Sequence, residues 1–250
     1  MIYYTKYKGY DIMKKLKKII LNILLIVFLI TFIYSTYKLI IWYKENKKTK
    51  KTVEEIKTIV NIEEKEDETI EIDFNELLKK NSEVVGWIKI NNTNVNYPIL
   101  QHKDNSYYLD HSFDNTYNGA GWIFMDYQNN PENLDFNTII YGHNRKDGSM
   151  FGSLFKTLDG TWIKNEDNLI IKLTTLNNSY LFKIFSIYYI DTTDDYINPT
   201  YDEETLNRVI NRSLFEFNAK VNLEDKILTL STRYNDEKKL VIHAQKILEN

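Results

Sequence analysis

The sequence predicts a mostly β fold, an antiparallel β-barrel with peripheral helices, preceded by an N-terminal transmembrane helix. Three observations predict it. An almost unbroken apolar run, Ile19 to Tyr37, lies near the start of the chain. From Val84 onward, short strand-like runs alternate with turns. One helical period, between Asp202 and Phe217, interrupts them before two closing strands.

The apolar run has the length a helix needs to cross a hydrocarbon core of roughly 30 Å. Asn22 is its only amide, and the run is apolar on every face, unlike a core helix of a soluble domain. Lys14, Lys15, Lys17 and Lys18 precede it, and no small-residue cleavage site follows. The expectation is an uncleaved signal anchor, with Trp42 and Tyr43 at the far interface, the N-terminus cytoplasmic and the C-terminal domain extracellular. Lysines at 44, 47, 48, 50 and 51 reduce the charge asymmetry. Residues 1–18 then form a basic cytoplasmic N-terminus, 19–43 the anchor and 44–72 a charged, solvated stalk rich in Lys and Glu. Residues 73–250 form the barrel domain.

Asp73 followed by Glu76 has the form of a capping box, and Phe74, Leu77 and Leu78 give a short helix one apolar face. Val84 to Ile90 reads as a strand, and Asn91 to Asn94 as its turn. Thr138 to Tyr141 is a compact apolar run ending at Gly142. Leu169 to Leu173 and Tyr180 to Ile190 flank an Asn177-Asn178 turn and predict a hairpin. Leu206, Val209, Ile210, Leu214 and Phe217 share one helical face, and the last strands run from Lys226 to Thr232 and from Leu240 to Leu248.

Composition narrows the function. A net charge of -3 argues against a general nucleic-acid binder. With no Cys there is no disulfide, no thiolate zinc site and no thiol nucleophile. The four His stand singly, and none has the i, i+4 spacing of a helical metal site. No metal and no cofactor is expected.

Several segments in order resemble class B sortases, the membrane-anchored cysteine transpeptidases of Gram-positive bacteria. They are Val84 to Ile90 with Val95-Asn96-Tyr97-Pro98-Ile99, then Lys103 to Leu109, then Ile123 to Tyr127. Tyr141-Gly142-His143-Asn144 follows, with Met150, Phe151 and Leu154 downstream. Leu228-Thr229-Leu230-Ser231-Thr232 comes last, with Val241-Ile242-His243-Ala244 after it. The likeness runs from about Asp73 to Leu248 and implies a sortase-like barrel.

The resemblance also implies a reaction. A Cys attacks a threonine carbonyl in the sorting-signal peptide of a surface protein. The acyl group then passes to an amine of peptidoglycan or its lipid-linked precursor. His143 matches the family's general acid/base, with Asn144 beside it as a substrate-binding candidate. The family's Thr-Leu-Ser-Thr-Cys becomes Thr229-Leu230-Ser231-Thr232-Arg233. Aligned from the left, Arg233 occupies the Cys position; aligned from Val241 backward, the Cys is deleted from a shortened loop. Arg233 either offers a guanidinium across the cleft or is a plain strand-end surface charge. Lys239 stands where the family has its oxyanion-stabilising Arg, keeping the charge but losing the planar fork. Ser231 and Thr232 are further substrate-binding candidates, and as replacement nucleophiles they fall short of the usual site. His102 and His111 read as solvated and His243 as structural. The chain therefore reads as a class B sortase by fold and descent, inactive without its nucleophile. The alternatives are a membrane-tethered pseudoenzyme holding sorting-signal peptides or an envelope partner, and a purely structural envelope protein.

Overall fold

The computed structural model describes residues 2–65, 69–191 and 195–249, with side chains for 13–65, 69–191 and 196–247. The chain divides into two compact units, residues 1–48 and 49–250. The first lies within helix α1 (Ile2–Ile59), which contains the apolar run. Its Ile, Leu and Phe side chains from Ile19 to Ile33 are exposed, and the helix is long and apolar enough to cross a membrane.

The second unit is a closed eight-stranded barrel. Its strands are β3 (Val84–Ile90), β4 (Asn96–Leu100), β5 (Phe124–Met125), β6 (Asn137–Tyr141), β7 (Ile170–Thr175), β8 (Ser179–Ile190), β9 (Ile227–Arg233) and β10 (Lys239–Glu249). They close in the order β10-β8-β7-β3-β4-β5-β6-β9. The β7–β8 hairpin forms around the expected Asn177-Asn178 turn. Six neighbouring pairs run antiparallel, whereas β4–β5 and β6–β9 run parallel. Closure leaves the barrel no open edge.

Alternation along the strands divides apolar residues between two cores. In β9, Leu228 and Leu230 join the main core with Trp87, Ile88, Phe124 and Ile140. Ile227 faces the opposite way, into a smaller core with Phe185, Tyr188, Tyr196, Val241 and two residues of helix α3 (Glu203–Asn211), Leu206 and Val209. Asn137 ties the two layers together. Its buried amide nitrogen donates to the carbonyls of Tyr196 and Asn198, at 3.0 and 2.8 Å, while its Oδ1 accepts from the Thr229 hydroxyl at 2.5 Å.

Three segments differ from the sequence-based expectations. The stretch expected as a solvated stalk folds with the barrel unit from Thr49 onward. Ile56 and Val60 are buried in the main core, and Thr49 Oγ1 accepts from Asn118 at 3.0 Å. Strands β1 (Ile62–Glu64) and β2 (Ile70–Ile72) then pair as a hairpin with Ile70 and Ile72 buried. Val53, Ile56 and Val60 do recur at helical spacing, but dense Lys and Glu around them hide the stripe. The capping box is not reciprocal: Asp73 accepts from Asn75 N at 2.9 Å ahead of α2 (Asn75–Lys80), while Glu76 pairs with Lys79. The late helix opens on Asp202, whose carboxylate accepts from Thr205 N, but it stops at Asn211 instead of Phe217. The Ser213 hydroxyl bonds to Ile187 N and Phe215 O, offering the backbone an alternative to another turn. Leu214 is left exposed.

The docked helix end gives a test. A chain starting at residue 73 loses four buried aliphatic residues, each worth about 1.5–3 kcal/mol. Residues 49–250 are expected to unfold cooperatively in urea, and residues 73–250 at a much lower midpoint or without a transition. Equal midpoints would remove the docked segment from the fold.

Candidate active site

The site is built where two strands run side by side. Strands β6 and β9 pair in parallel from Asn137↔Ile227 to Tyr141↔Ser231. Gly142 N carries the ladder on, donating to Ser231 O at 3.4 Å, and the Thr232 hydroxyl donates to Gly142 O at 2.7 Å. His143 and Arg233 each follow the last rung of this pairing by two residues along their own chain segments. Gly142 suits this junction, since a Cβ there would collide with Ile123 Cδ1 and lie 2.8 Å from the Phe151 ring.

His143 is half-buried, and its ring is held from the β4–β5 connection. Nε2 lies 2.6 Å from the carbonyl oxygen of Leu109. A carbonyl only accepts, so Nε2 carries a proton, and Nδ1 is the nitrogen left to take or give one. Leu109 closes a short 3-10 turn, Tyr107–Leu109, whose start is fixed by Asp104. The Asp104 carboxylate accepts from the Ser106 hydroxyl and from the Ser106 and Tyr107 amides, which hold its pKa down at about 2. Gly121, at φ +58°, packs against the ring, and a Cβ there would sit 2.7 Å from His143 Cδ2. On the other side Phe151 N donates to His143 O at 3.0 Å, and Asn144 pairs with Met150 in an isolated bridge that closes the following turn. Asn144 is exposed.

The strand end that should carry a nucleophile carries a solvated charge. The Arg233 side chain is 72% exposed, with Nη1 3.8 Å from Asp236 Oδ1. Lys239 is the Cα partner of Arg233 across β9–β10, so it lies one strand further from His143. The connection between them is a tight turn in which Tyr234 N donates to Lys238 O at 2.8 Å, and Asn235 Oδ1 accepts from Glu237 N and Lys238 N. Tyr234 stacks on Phe155 at 5.6 Å and contacts Tyr189 at 4.3 Å. Arg233 fills the last paired position of β9, opposite Lys239.

Neither nearby hydroxyl is directed at His143. Both side chains are buried: Ser231 lies 3.2 Å from the Tyr196 hydroxyl on the outer face, and Thr232 is bound to Gly142. His243 is fully buried between Tyr188 Oη and Thr229 Oγ1, each at 2.8 Å, as a structural residue. His102 and His111 are not plainly solvated: they stack on opposite faces of Tyr107. Tyr141 donates to Asp126 Oδ2 at 2.8 Å; burial first, and then that carboxylate, pushes its phenol pKa up, so it stays protonated. Among the described residues no group of three or more His, Asp or Glu side chains could hold a metal ion. Sequence reasoning missed the Leu109 carbonyl and Gly121. A backbone oxygen carries no side-chain signature, although a Gly two residues before the apolar Ile123-Phe124-Met125 run hinted at a close approach.

Replacing Gly121 by Ala tests the packing around the imidazole. The added methyl conflicts with the ring and with the Tyr108 and Leu109 carbonyls at 2.6 and 2.8 Å, in a backbone region that L-residues avoid. The expected outcome is a loss of about 1–3 kcal/mol and a displaced His143 imidazole signal in NMR spectra. An unmoved signal would separate Gly121 from the site.

Residues 88–247 match the sortase domain family model. Sortase B of Listeria monocytogenes is 37% identical over 229 residues, covering 87% of this chain and 91% of that protein. Sortase B of Staphylococcus aureus is 33% identical over 239 residues, covering 92% and 96%. Among solved structures, Bacillus anthracis sortase B in complex with AAEK1 superposes with a TM-score of 0.70 at 36% identity, covering 82% of this chain and 97% of that one. A Staphylococcus aureus sortase B–substrate complex gives 0.65 at 34% identity, covering 70% and 84%.

Proposed function

The chain belongs to the sortase family, alongside sortase B proteins, and we propose that it keeps the site architecture of a cell-wall transpeptidase without the nucleophile that drives turnover. The observation that carries this reading is Arg233 at the end of β9, the strand paired with β6 just before His143, in a chain that has no Cys. The family reaction needs a thiolate that attacks a threonine carbonyl, expels the downstream peptide as an amine, and is itself expelled when an acceptor amine opens the thioester. His143 has the protonated Nε2 and available Nδ1 that suit an acid/base group, but nothing beside it attacks. Loss of a nucleophile costs about six orders of magnitude in a well-studied protease series. The ligands of the intact pathway would be a sorting-signal peptide and an amine of peptidoglycan or its lipid-linked precursor. Asn144, Thr232 and Ser231 are the candidate residues for such a peptide. Thr232 and Ser231 act by fixing the strand end, since their hydroxyls are engaged within the fold.

Restoring the thiol tests the reading. The unmodified chain should neither cleave sorting-signal peptides nor react with thiol reagents. Arg233→Cys should become labelled and show weak, His143-dependent cleavage. Adding Lys239→Arg should raise that activity by at least about tenfold, because a forked donor stabilises the oxyanion better than an ammonium. His143-dependent transpeptidation by the unmodified chain would overturn the inactive reading.

For location we propose a single-pass membrane protein with a cytoplasmic N-terminus and an external barrel. The apolar part of α1 and the four lysines before it support this. The lack of native Cys makes the test free of background. In intact cells stripped of wall, a membrane-impermeant maleimide should label Glu132→Cys, on an exposed barrel loop, and should reach Lys14→Cys only after lysis. The reverse pattern would invert the topology.

A further inference from the structure

The connection that holds His143 contains a stack of three rings. His102 lies on one face of Tyr107, with ring centroids 4.2 Å apart and planes 22° apart. His111 lies on the other face, at 4.0 Å and 12°. Each imidazole has its own carboxylate. His102 Nδ1 is 2.7 Å from Glu83 Oε1, and its Nε2 is 4.0 Å from Asp104 Oδ2. His111 Nδ1 is 2.7 Å from Asp110 Oδ1 and 2.9 Å from Tyr107 O. The side chains of His102 and His111 are only 18% and 26% exposed. Glu83 also accepts from the Tyr108 hydroxyl, and Tyr117 meets His111 edge-on. Glu83, Asp104, Tyr108, Asp110 and Tyr117 are thus the titratable groups that face the stack among the described residues.

Tyr107 opens the turn whose last residue, Leu109, supplies the carbonyl bound to His143 Nε2. We propose that the His102–Tyr107–His111 stack is a proton-responsive positioning device for His143. Protonation of either outer imidazole strengthens its carboxylate pair and its cation–π contact with Tyr107. Both effects clamp Tyr107, and with it the Leu109 carbonyl, against His143 Nε2–H. When the outer rings are neutral the clamp relaxes, and the His143 tautomer is held less firmly. Asp104 stays charged throughout this range, because the Ser106 hydroxyl and the Ser106 and Tyr107 amides bind its anion. The inference rests on the family reading only for its catalytic meaning. The coupling itself belongs to the fold.

The test uses the full chain in detergent and follows all four imidazoles by long-range 15N NMR across pH 5 to 8, roughly the range in which His titrates. His243, bound inside the barrel, reports that the fold is intact. In the unmodified chain His143 is expected to show its own inflection and a second one at the midpoints of His102 and His111. Tyr107→Leu should abolish the second inflection and move the His143 midpoint by at least about half a pH unit, with His243 unmoved. Tyr107→Phe keeps the ring and should behave as the unmodified chain, and the double variant His102→Gln with His111→Gln should behave as Tyr107→Leu. A single His143 inflection, the same in the unmodified chain and in Tyr107→Leu, overturns the proposal. The readout needs no turnover. It therefore stands or falls separately from the cleavage assay of Arg233→Cys, which tests the family reading alone.

Discussion

Everything at the site depends on the parallel pairing of β6 with β9. Strands so joined cannot be sequential hairpin partners, so the chain must travel through β7, β8 and α3 before β9 can return beside β6. That long excursion builds the rest of the barrel. It also sets the last residues of two distant strands on adjacent rungs, with Gly142 and Thr232 bonded across the junction. Chemistry needing two groups from remote parts of the chain is placed by backbone hydrogen bonds before any side chain contributes.

The layering follows from the same pairing. β9 sends Leu228 and Leu230 inward and Ile227, Thr229 and Ser231 outward, so the strand that presents position 233 is buried on both faces. On the outer face Thr229 and Ser231 meet polar partners, Asn137 with His243 and Tyr196. These buried bonds hold the strand end in one rotational setting, since leaving any of the groups unsatisfied would cost about 1–3 kcal/mol.

Much of this was legible in the residues. The strands from Val84 to Ile90, Thr138 to Tyr141 and Tyr180 to Ile190 announce themselves by apolar runs bounded by Asn and Gly. The order of motifs resembling class B sortases predicted the barrel. The mostly antiparallel expectation holds for six of the eight pairs, and the two parallel ones carried no local signal, because pairing direction is set by which strands meet in space. The docked end of α1 was masked by its own surface charges. Leu214 and Phe217 continued a helical period that Ser213 had ended with side-chain bonds. At the site, side chains could be read and backbone atoms could not. The Leu109 carbonyl and the sandwich around Tyr107 join residues spaced four and five apart in an irregular connection, where no periodicity marks a shared face.

The exposure of Arg233 also bears on what the fold tolerates at this position. The Arg233 side chain extends into water beside Asp236 and belongs to neither core. Substitutions at such a surface position shift stability by roughly half a kcal/mol or less. Quality control that reads foldedness is therefore indifferent to which side chain stands there. A fold can keep its barrel and its placed imidazole whatever stands at position 233.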